Sequence, residues 1–198
     1  MLAEIGSMNV SVESGTVLNR VQIEKDSEGS VTIKALLPKA LVGGIDVNAL
    51  DEITVKIEAI ASKKVKTTQE GDVVIKLTTP YDVAYITDEY QGLLVSSHCA
   101  IIRGLNPEEI NAKYLAYVLS SPYGKDYLGS VTTGASTAML KVRDIISIPI
   151  PMLPLQEQEM LGDIFLAFCK KRAALKEMLS NEEAVQSAMI MDAIRREV

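Results

Sequence analysis

The chain has few of the residue types from which most catalytic and metal sites are built. Its 198 residues include no tryptophan, one histidine and two cysteines. Cys99 and Cys169 fall in different predicted elements and form no spacing motif, a pattern typical of a reduced cytosolic protein with free thiols. We therefore expect no metal, no cofactor and no catalytic residue in this chain.

Nucleotide-binding and nucleophilic motifs are missing as well. The glycine-containing segments GLLVSSHC and VGGID lack the spacing and the lysine of a phosphate-binding loop. Ser96 and the only histidine, His98, lie near the edge of a predicted strand, and we expect their side chains to point apart and form no relay. A polar strand-end residue is the favoured interpretation of His98.

Long apolar runs and a basic charge balance are also absent. No run approaches the roughly 18 residues that a membrane span needs, and the start, MLAEIGSMNV, lacks the basic region of a signal peptide. These features predict a cytoplasmic protein. The formal net charge of -6 argues against a nucleic-acid partner, although a local basic face is compatible with it.

The first three quarters of the sequence contain short strands, followed by helical segments. GSVTIKALL has strand character, and strands are predicted after Gly71-Asp72, over 83–87 and over 93–103. Asn106-Pro107-Glu108-Glu109 predicts a helix start, and Ser120-Ser121-Pro122 predicts its end. The pattern indicates an α+β domain of mixed sheet and helix over about residues 1–150.

A proline-rich strap joins this domain to a second unit over residues 151–198. Pro149, Pro151 and Pro154 predict an extended crossing that forms no sheet ladder. From Gln156 onward the chain has no proline and its apolar residues recur at helical spacing, which predicts a long, coiled-coil-like helical arm. A break near Ser180-Asn181 is compatible with the pattern.

The strap also carries a resemblance. IPIPMLPLQEQEML resembles the junction between a target-recognition domain and a conserved helix in the specificity subunits of type I restriction-modification systems. SGTVLNR, EGDVVIK, SSHCAIIRG and the segment over 111–145 resemble further pieces of that family in the same order. The departures are Met152-Leu153 between the strap prolines, and a single domain-plus-helix unit where the usual subunit has two.

The resemblance implies a non-catalytic subunit that recognises double-stranded DNA. Such a subunit directs an adenine methyltransferase (modification) subunit and a nuclease to a bipartite target. Because one unit is present, it also implies a homodimer formed through the C-terminal helix, each copy contributing one half-site. The alternative left open by the residues is an acidic α+β interaction scaffold that dimerises through the helix without binding DNA.

The polar loop SVTTGASTAMLK, followed by Arg143, is the candidate DNA face. Its small hydroxyl and glycine residues suit close approach to phosphates or base edges, although a plain surface loop fits the composition equally well. Lys34, Lys39, Lys63, Lys64 and Lys66 form a possible basic rim. The complete candidate set is Arg20, Lys34, Lys76, Thr133, Gly134, Ser136, Thr137, Lys141 and Arg143.

The helical arm carries apolar residues that need a partner surface. Packing of the arm on its own domain and pairing with a second helix both satisfy that need, and its length favours the partner helix. The residues that we expect in dimer or helix packing are Leu161, Ile164, Phe168, Leu175, Met178 and Val185.

Overall fold

The computed structural model describes residues 1–25, 27–132 and 139–197 of the chain. Its strands are β1 (Leu2–Glu4), β2 (Ser11–Ser14), β3 (Ser30–Leu36), β4 (Asp51–Lys56), β5 (Val73–Lys76), β6 (Val83–Tyr85), β7 (Leu94–Val95), β8 (Cys99–Arg103) and β9 (Pro149–Pro151). Its α-helices are α1 (Ile57–Ala61), α2 (Ala112–Ser120), α3 (Pro122–Thr132), α4 (Val142–Ile146) and α5 (Leu155–Glu197). This mixed architecture with a long final helix confirms the predicted fold class.

The main sheet is antiparallel, with strand order β2-β8-β5-β6. Both of its faces are covered, so its central strands are continuous runs of apolar residues. Val73 and Ile75 face a core shared with α2, whereas Val74 and Ile101 face a second core beneath β3. A smaller sheet, of order β4-β3-β7, encloses a third cluster around Ala35 and other buried residues.

Helix α2 begins later than the sequence predicts. Asn106 forms a turn in which its side-chain oxygen accepts from the Glu108 amide at 3.2 Å. The helix instead starts after Asn111, whose side-chain oxygen accepts from the amides of Lys113 and Tyr114 at 2.9 and 3.2 Å. The reason is tertiary, because a glutamine of α5 bonds the amide of Asn111 and the backbone just before it.

The strap forms a ladder, contrary to the expectation from its prolines. Strand β9 pairs antiparallel with β1, with Ile150 opposite Ala3. Prolines are tolerated because this is a short two-stranded edge ladder, where few amides are needed. Side-chain hydroxyls of Tyr114 and Tyr123 donate to the carbonyls of Pro151 and Pro149, at 2.7 and 2.8 Å. The strap is therefore held by the ladder on one side and by tyrosines on the other.

Helix α5 runs for 43 residues without the break considered at Ser180-Asn181, which confirms the predicted long helix. Its first turns pack on α2, where Phe165 is buried and its ring lies 6.4 Å from that of Tyr117. Beyond Arg172 every side chain described on α5 is exposed. The helix is thus a docked segment that continues as a projecting arm.

Neither a membrane-spanning helix nor a metal cluster occurs among the described residues. None of the helices described is both long and apolar enough to cross a bilayer. Within the same residues, no group of three or more histidine, cysteine or acidic side chains could hold a metal ion.

Candidate nucleic-acid interface

One end of the main sheet brings together three of the segments selected from the sequence. The end of β2, the end of β5 and the start of β8 lie side by side, with Lys76 opposite Cys99. The Gly15 amide donates to the Cys99 carbonyl at 3.0 Å, and the Leu77 amide donates to the His98 carbonyl at 2.9 Å. Segments distant in sequence therefore form one continuous surface at this end of the sheet.

Gly15 is required by the close packing of this surface. A Cβ atom at this position would lie 2.4 Å from the carbonyl oxygens of both Val95 and Ser96. The next residue, Thr16, is buried, and its hydroxyl accepts from the Lys66 amide at 2.7 Å. The glycine of the SG motif thus allows two backbone segments to touch, and we assign it no direct contact with a ligand.

The polar loop starts and ends at the same edge of the sheet. On its N-terminal side, the hydroxyls of Thr132 and Tyr81 lie 2.7 Å apart. On its C-terminal side, the Leu140 amide donates to the Leu77 carbonyl at 2.8 Å. The candidates Thr133, Gly134, Ser136 and Thr137 lie outside the described residues.

Lys141 and Arg143 lie at the start of α4, immediately after that loop. Asp144 accepts a hydrogen bond from the backbone amide of Lys141 at 2.8 Å, and the lysine residue is exposed. The Arg143 Nε atom is 3.6 Å from Asp144 Oδ1, and the arginine side chain is 76% exposed. Both cations are therefore accessible to an anion beside the sheet end.

The other predicted cations are distributed more widely. Lys76, which is half-buried, is the last residue of β5. Because of this position at the sheet end, it belongs to the same region as Lys141. Burial raises the pKa of the neighbouring Cys99 thiol to about 12, with the Lys76 charge acting in the opposite direction. Lys34 is exposed on the smaller sheet opposite Glu52, and Arg20 is exposed at the end of a 3-10 turn.

Several charges in the selected motifs are neutralised internally. Asp72 of EGDVVIK accepts from Arg103 of SSHCAIIRG, with Nε to Oδ1 at 2.8 Å and Nη2 to Oδ2 at 2.6 Å. The hydrogen bond to this carboxylate raises the pKa of Arg103, whose Nη2 also donates to the Thr67 carbonyl at 2.8 Å. The pair is nearly buried, so we exclude both side chains from the interface.

Two residues of the expected basic rim are also paired. Lys39 bonds Asp51 at 2.6 Å, and Lys66 bonds Glu13 at 2.5 Å. Sequence reasoning could not separate paired from unpaired lysines, because each carboxylate partner is more than ten residues away in the chain.

The expectation that Ser96 and His98 point apart was wrong. Ser96 Oγ lies 3.4 Å from His98 Nδ1, because residues two apart share a face and these two flank a tight turn. Among the residues described, no carboxylate is hydrogen-bonded to the imidazole, so the pair lacks the orienting group of a catalytic relay.

Comparison with known proteins gives one family. The family model described as the type I restriction modification DNA specificity domain matches residues 23–183. A curated relative, the putative type I specificity subunit S.MpnORF89P of Mycoplasma pneumoniae, is 38% identical over 73 residues, which is 37% of this chain and 20% of that protein.

Solved structures share the fold. The S subunit of a type I restriction-modification system from M. genitalium aligns with a TM-score of 0.60 at 13% identity, over 95% of this chain and 44% of its own. The HsdS subunit from Thermoanaerobacter tengcongensis aligns with a TM-score of 0.56 at 19% identity, over 91% of this chain and 47% of its own. The chain thus spans less than half the length of these structures.

Proposed function

The chain belongs to the family of type I restriction-modification DNA specificity domains, and from that premise we propose that it recognises a sequence in double-stranded DNA. In this role it catalyses nothing itself and directs an adenine methyltransferase subunit and a nuclease to the target. The observation that carries the proposal is the anchoring of both ends of the polar loop at the sheet end, beside the exposed cations Lys141 and Arg143.

Lys141 and Arg143 hold the DNA backbone in this proposal, with Lys76 beside them. The ammonium and guanidinium groups supply the sequence-independent part of the affinity by displacing counterions from phosphates. The hydroxyls of Ser136 and Thr137, with Thr133 and Gly134, supply contacts to base edges or close backbone approach. Lys34 and Arg20 lie on other surfaces and contact the flanking duplex.

The test is a binding titration at several salt concentrations, with and without the methyltransferase subunit. We expect Lys141→Ala and Arg143→Ala each to weaken binding to all sequences about equally. Each variant should reduce the salt slope by about 0.9 for every phosphate that it no longer neutralises. Because the chain is net acidic, the affinity should rise when the methyltransferase subunit is added.

The matched control for charge is Lys170→Ala, an exposed lysine on α5, the helix that packs against α2. The salt slope of DNA binding by Lys170→Ala should equal that of the wild type. Ser136→Ala and Thr137→Ala should change the preference among sequences, by about 1–3 kcal/mol for a good base contact, with little change in slope. A wild-type slope in both Lys141→Ala and Arg143→Ala would show that the loop is not the DNA face.

The assembly that we propose is a homodimer through α5. Residues 1–150 act as the recognition domain, and residues 151–198 act as the dimerisation and spacer region. Leu161 packs partly on its own domain, whereas Ile164, Phe168, Leu175, Met178 and Val185 are 43–67% exposed and free to meet a second helix. Two-fold symmetry of such a dimer implies a split, inverted-repeat target.

Family membership favours DNA recognition over an acidic scaffold that only dimerises. The two functions differ in the titration, since a scaffold binds no duplex at any salt concentration or with any partner subunit. The cytoplasmic location expected from the sequence stays a prediction.

A further inference from the structure

A second basic surface lies away from the polar loop, in a groove of about 430 Å³. Its floor is apolar, where Val21 and Ala59 pack on the core of the smaller sheet. Its rim carries three cations, Arg20, Lys56 and Lys64, and one carboxylate, Glu58. None of the three belongs to the surface at the end of the main sheet.

Two segments that are distant in sequence converge to build this rim. The segment after Arg20 is held against β4 by a hydrogen bond from the Ile23 amide to the Thr54 carbonyl, at 3.0 Å. Lys56 ends β4 and immediately precedes α1. The chain then reverses after α1, where Lys63 has a φ of 57° and the next residue is Lys64. The tertiary fold therefore brings Arg20 beside the segment that carries Lys56 and Lys64.

The rim cations carry charges that no described carboxylate neutralises. Within the described part of the chain, no ion pair forms to Arg20, Lys56 or Lys64, and all three side chains are exposed. By contrast, cations at five other positions of the domain are within 3.5 Å of a carboxylate. These are Lys39, Lys66, Arg103, Lys113 and Lys125.

Like charges that surround one groove repel each other until an anion enters it. The chain as a whole carries a formal net charge of -6, so its surface offers few places where a polyanion is attracted. We infer that this groove binds the sugar-phosphate backbone of duplex DNA, through Arg20, Lys56 and Lys64. The inference rests on the proposed function and adds a contact surface separate from the polar loop.

Because Glu58 lies on the same rim as the cations, substitutions in the groove should either weaken or strengthen DNA binding. The Glu58 carboxylate repels a phosphate, so its neutralisation should favour binding. Lys56→Gln combined with Lys64→Gln should weaken binding of a random-sequence duplex and reduce the salt slope by roughly two units. Glu58→Gln should raise the affinity several-fold.

The experiment is the salt titration described for the loop, carried out on the full chain with and without the methyltransferase subunit. Lys170→Gln combined with Arg195→Gln is the matched control, because it removes the same charge from exposed positions on the side of α5 opposite the proposed dimer surface. Equal thermal unfolding midpoints for all variants would establish that each one is folded.

The outcomes separate the groove from the loop. The DNA-binding role of the groove is refuted if the Lys56/Lys64 variant has the salt slope of the wild type while Lys141→Ala has a reduced salt slope. In that outcome the proposed function still holds. An equal reduction of the salt slope in the Lys170/Arg195 control also refutes the groove, since total charge then explains the effect. If the wild-type chain binds no duplex in either form, the proposed function and the groove both fall.

Discussion

At the scale of single residues, a fully buried glutamine joins the strap, α2 and α5. Gln158 Oε1 accepts from the Asn111 amide at 2.9 Å, and Nε2 donates to the carbonyls of Leu153 and Glu109 at 2.9 and 3.3 Å. All the hydrogen-bonding groups of this side chain lie within the protein, as burial of a polar amide requires. The glutamine of the LQEQE segment therefore has a structural role in the described fold.

Gly162 lies one turn further along α5 and sets how closely the two helices approach. A Cβ atom there would lie 2.7 Å from Lys113 Cβ and 2.9 Å from the Tyr114 amide nitrogen. We expect Gly162→Ala to destabilise the protein by about 1–3 kcal/mol, because overpacking outweighs the better helix propensity of alanine. Chemical unfolding measures this difference.

Gly129, in α3, is the matched control for Gly162. Among the described residues outside its own helical turns, a Cβ atom at position 129 would meet no atom within 4 Å, so Gly129→Ala should leave stability unchanged or raise it by up to about 1 kcal/mol. If both variants were equally stable, helix propensity would dominate and close approach at Gly162 would be unimportant.

At the scale of elements, α5 also contacts the loop that follows β3. Arg172 Nη1 donates to the Gly43 carbonyl at 3.0 Å, and Lys176 Nζ lies 2.5 Å from Asp46 Oδ2. Gly43 has a φ of 74°, and a Cβ atom there would lie 1.7 Å from Arg172 Nη1. The loop thus forms a latch that holds the helix two turns beyond its last buried residue.

The latch should contribute stability that depends on pH. The hydrogen bond from Lys176 lowers the pKa of Asp46 in the folded protein. A carboxyl group with a lowered folded pKa stabilises the fold above its unfolded pKa of about 3.9, and the contribution is lost as the pH falls through the folded pKa. We therefore expect Asp46→Asn to lower the free energy of unfolding by less than about 1 kcal/mol at pH 7, and by progressively less below pH of about 4.

The test is to measure the free energy of unfolding by chemical denaturation at neutral and at low pH. The proteins compared are the wild type, Asp46→Asn, Lys176→Gln and the double variant. The double variant should be no less stable than the weaker single variant, because both changes remove the same pair. A deficit of Asp46→Asn that persisted at low pH would point to a role of this side chain other than the ion pair.

At the scale of the whole molecule, the projecting part of α5 leaves an apolar surface uncovered. The helix is about 65 Å long, at 1.5 Å per residue, and only the part up to about Lys176 contacts the domain. Exposed apolar side chains continue along the rest of it: Leu175, Met178, Leu179, Val185, Met189, Ile190, Met191 and Ile194. Such a surface on a projecting helix is typical of an association site.

The proposed homodimer predicts that carboxylates in this surface abolish association. Phe168→Glu combined with Leu175→Glu should convert a dimer to a monomer in sedimentation. Each substitution removes an apolar side chain whose burial contributes roughly 1.5–3 kcal/mol, and it places a charge in the interface. Ser180→Glu combined with Ser187→Glu is the control, because those positions lie roughly opposite Leu175 around the helix. A wild-type chain that sediments as a monomer would refute the homodimer.

The sequence alone determined the order and type of the main elements. Apolar periodicity over 73–77, 93–103 and 156–196 corresponds to β5, β7 with β8, and α5, since those patterns are local and strong. It also indicated the family, because its motifs occur in the right order along the chain. The sequence misplaced the start of α2 and did not predict the pairing of the strap. In both places a local signal competes with a partner that is distant in the chain.

Only the tertiary structure decided which charges remain available to a ligand. Arg103 and Lys66 look equivalent to Lys56 and Lys64 in the sequence, yet within the described part of the chain the first two are paired with carboxylates and the last two are not. The tertiary fold likewise determined that Gln158 is buried and that Gly43 accommodates Arg172. An ion pair or a close contact depends on the distance between residues far apart in the chain, and local patterning carries no information about that distance.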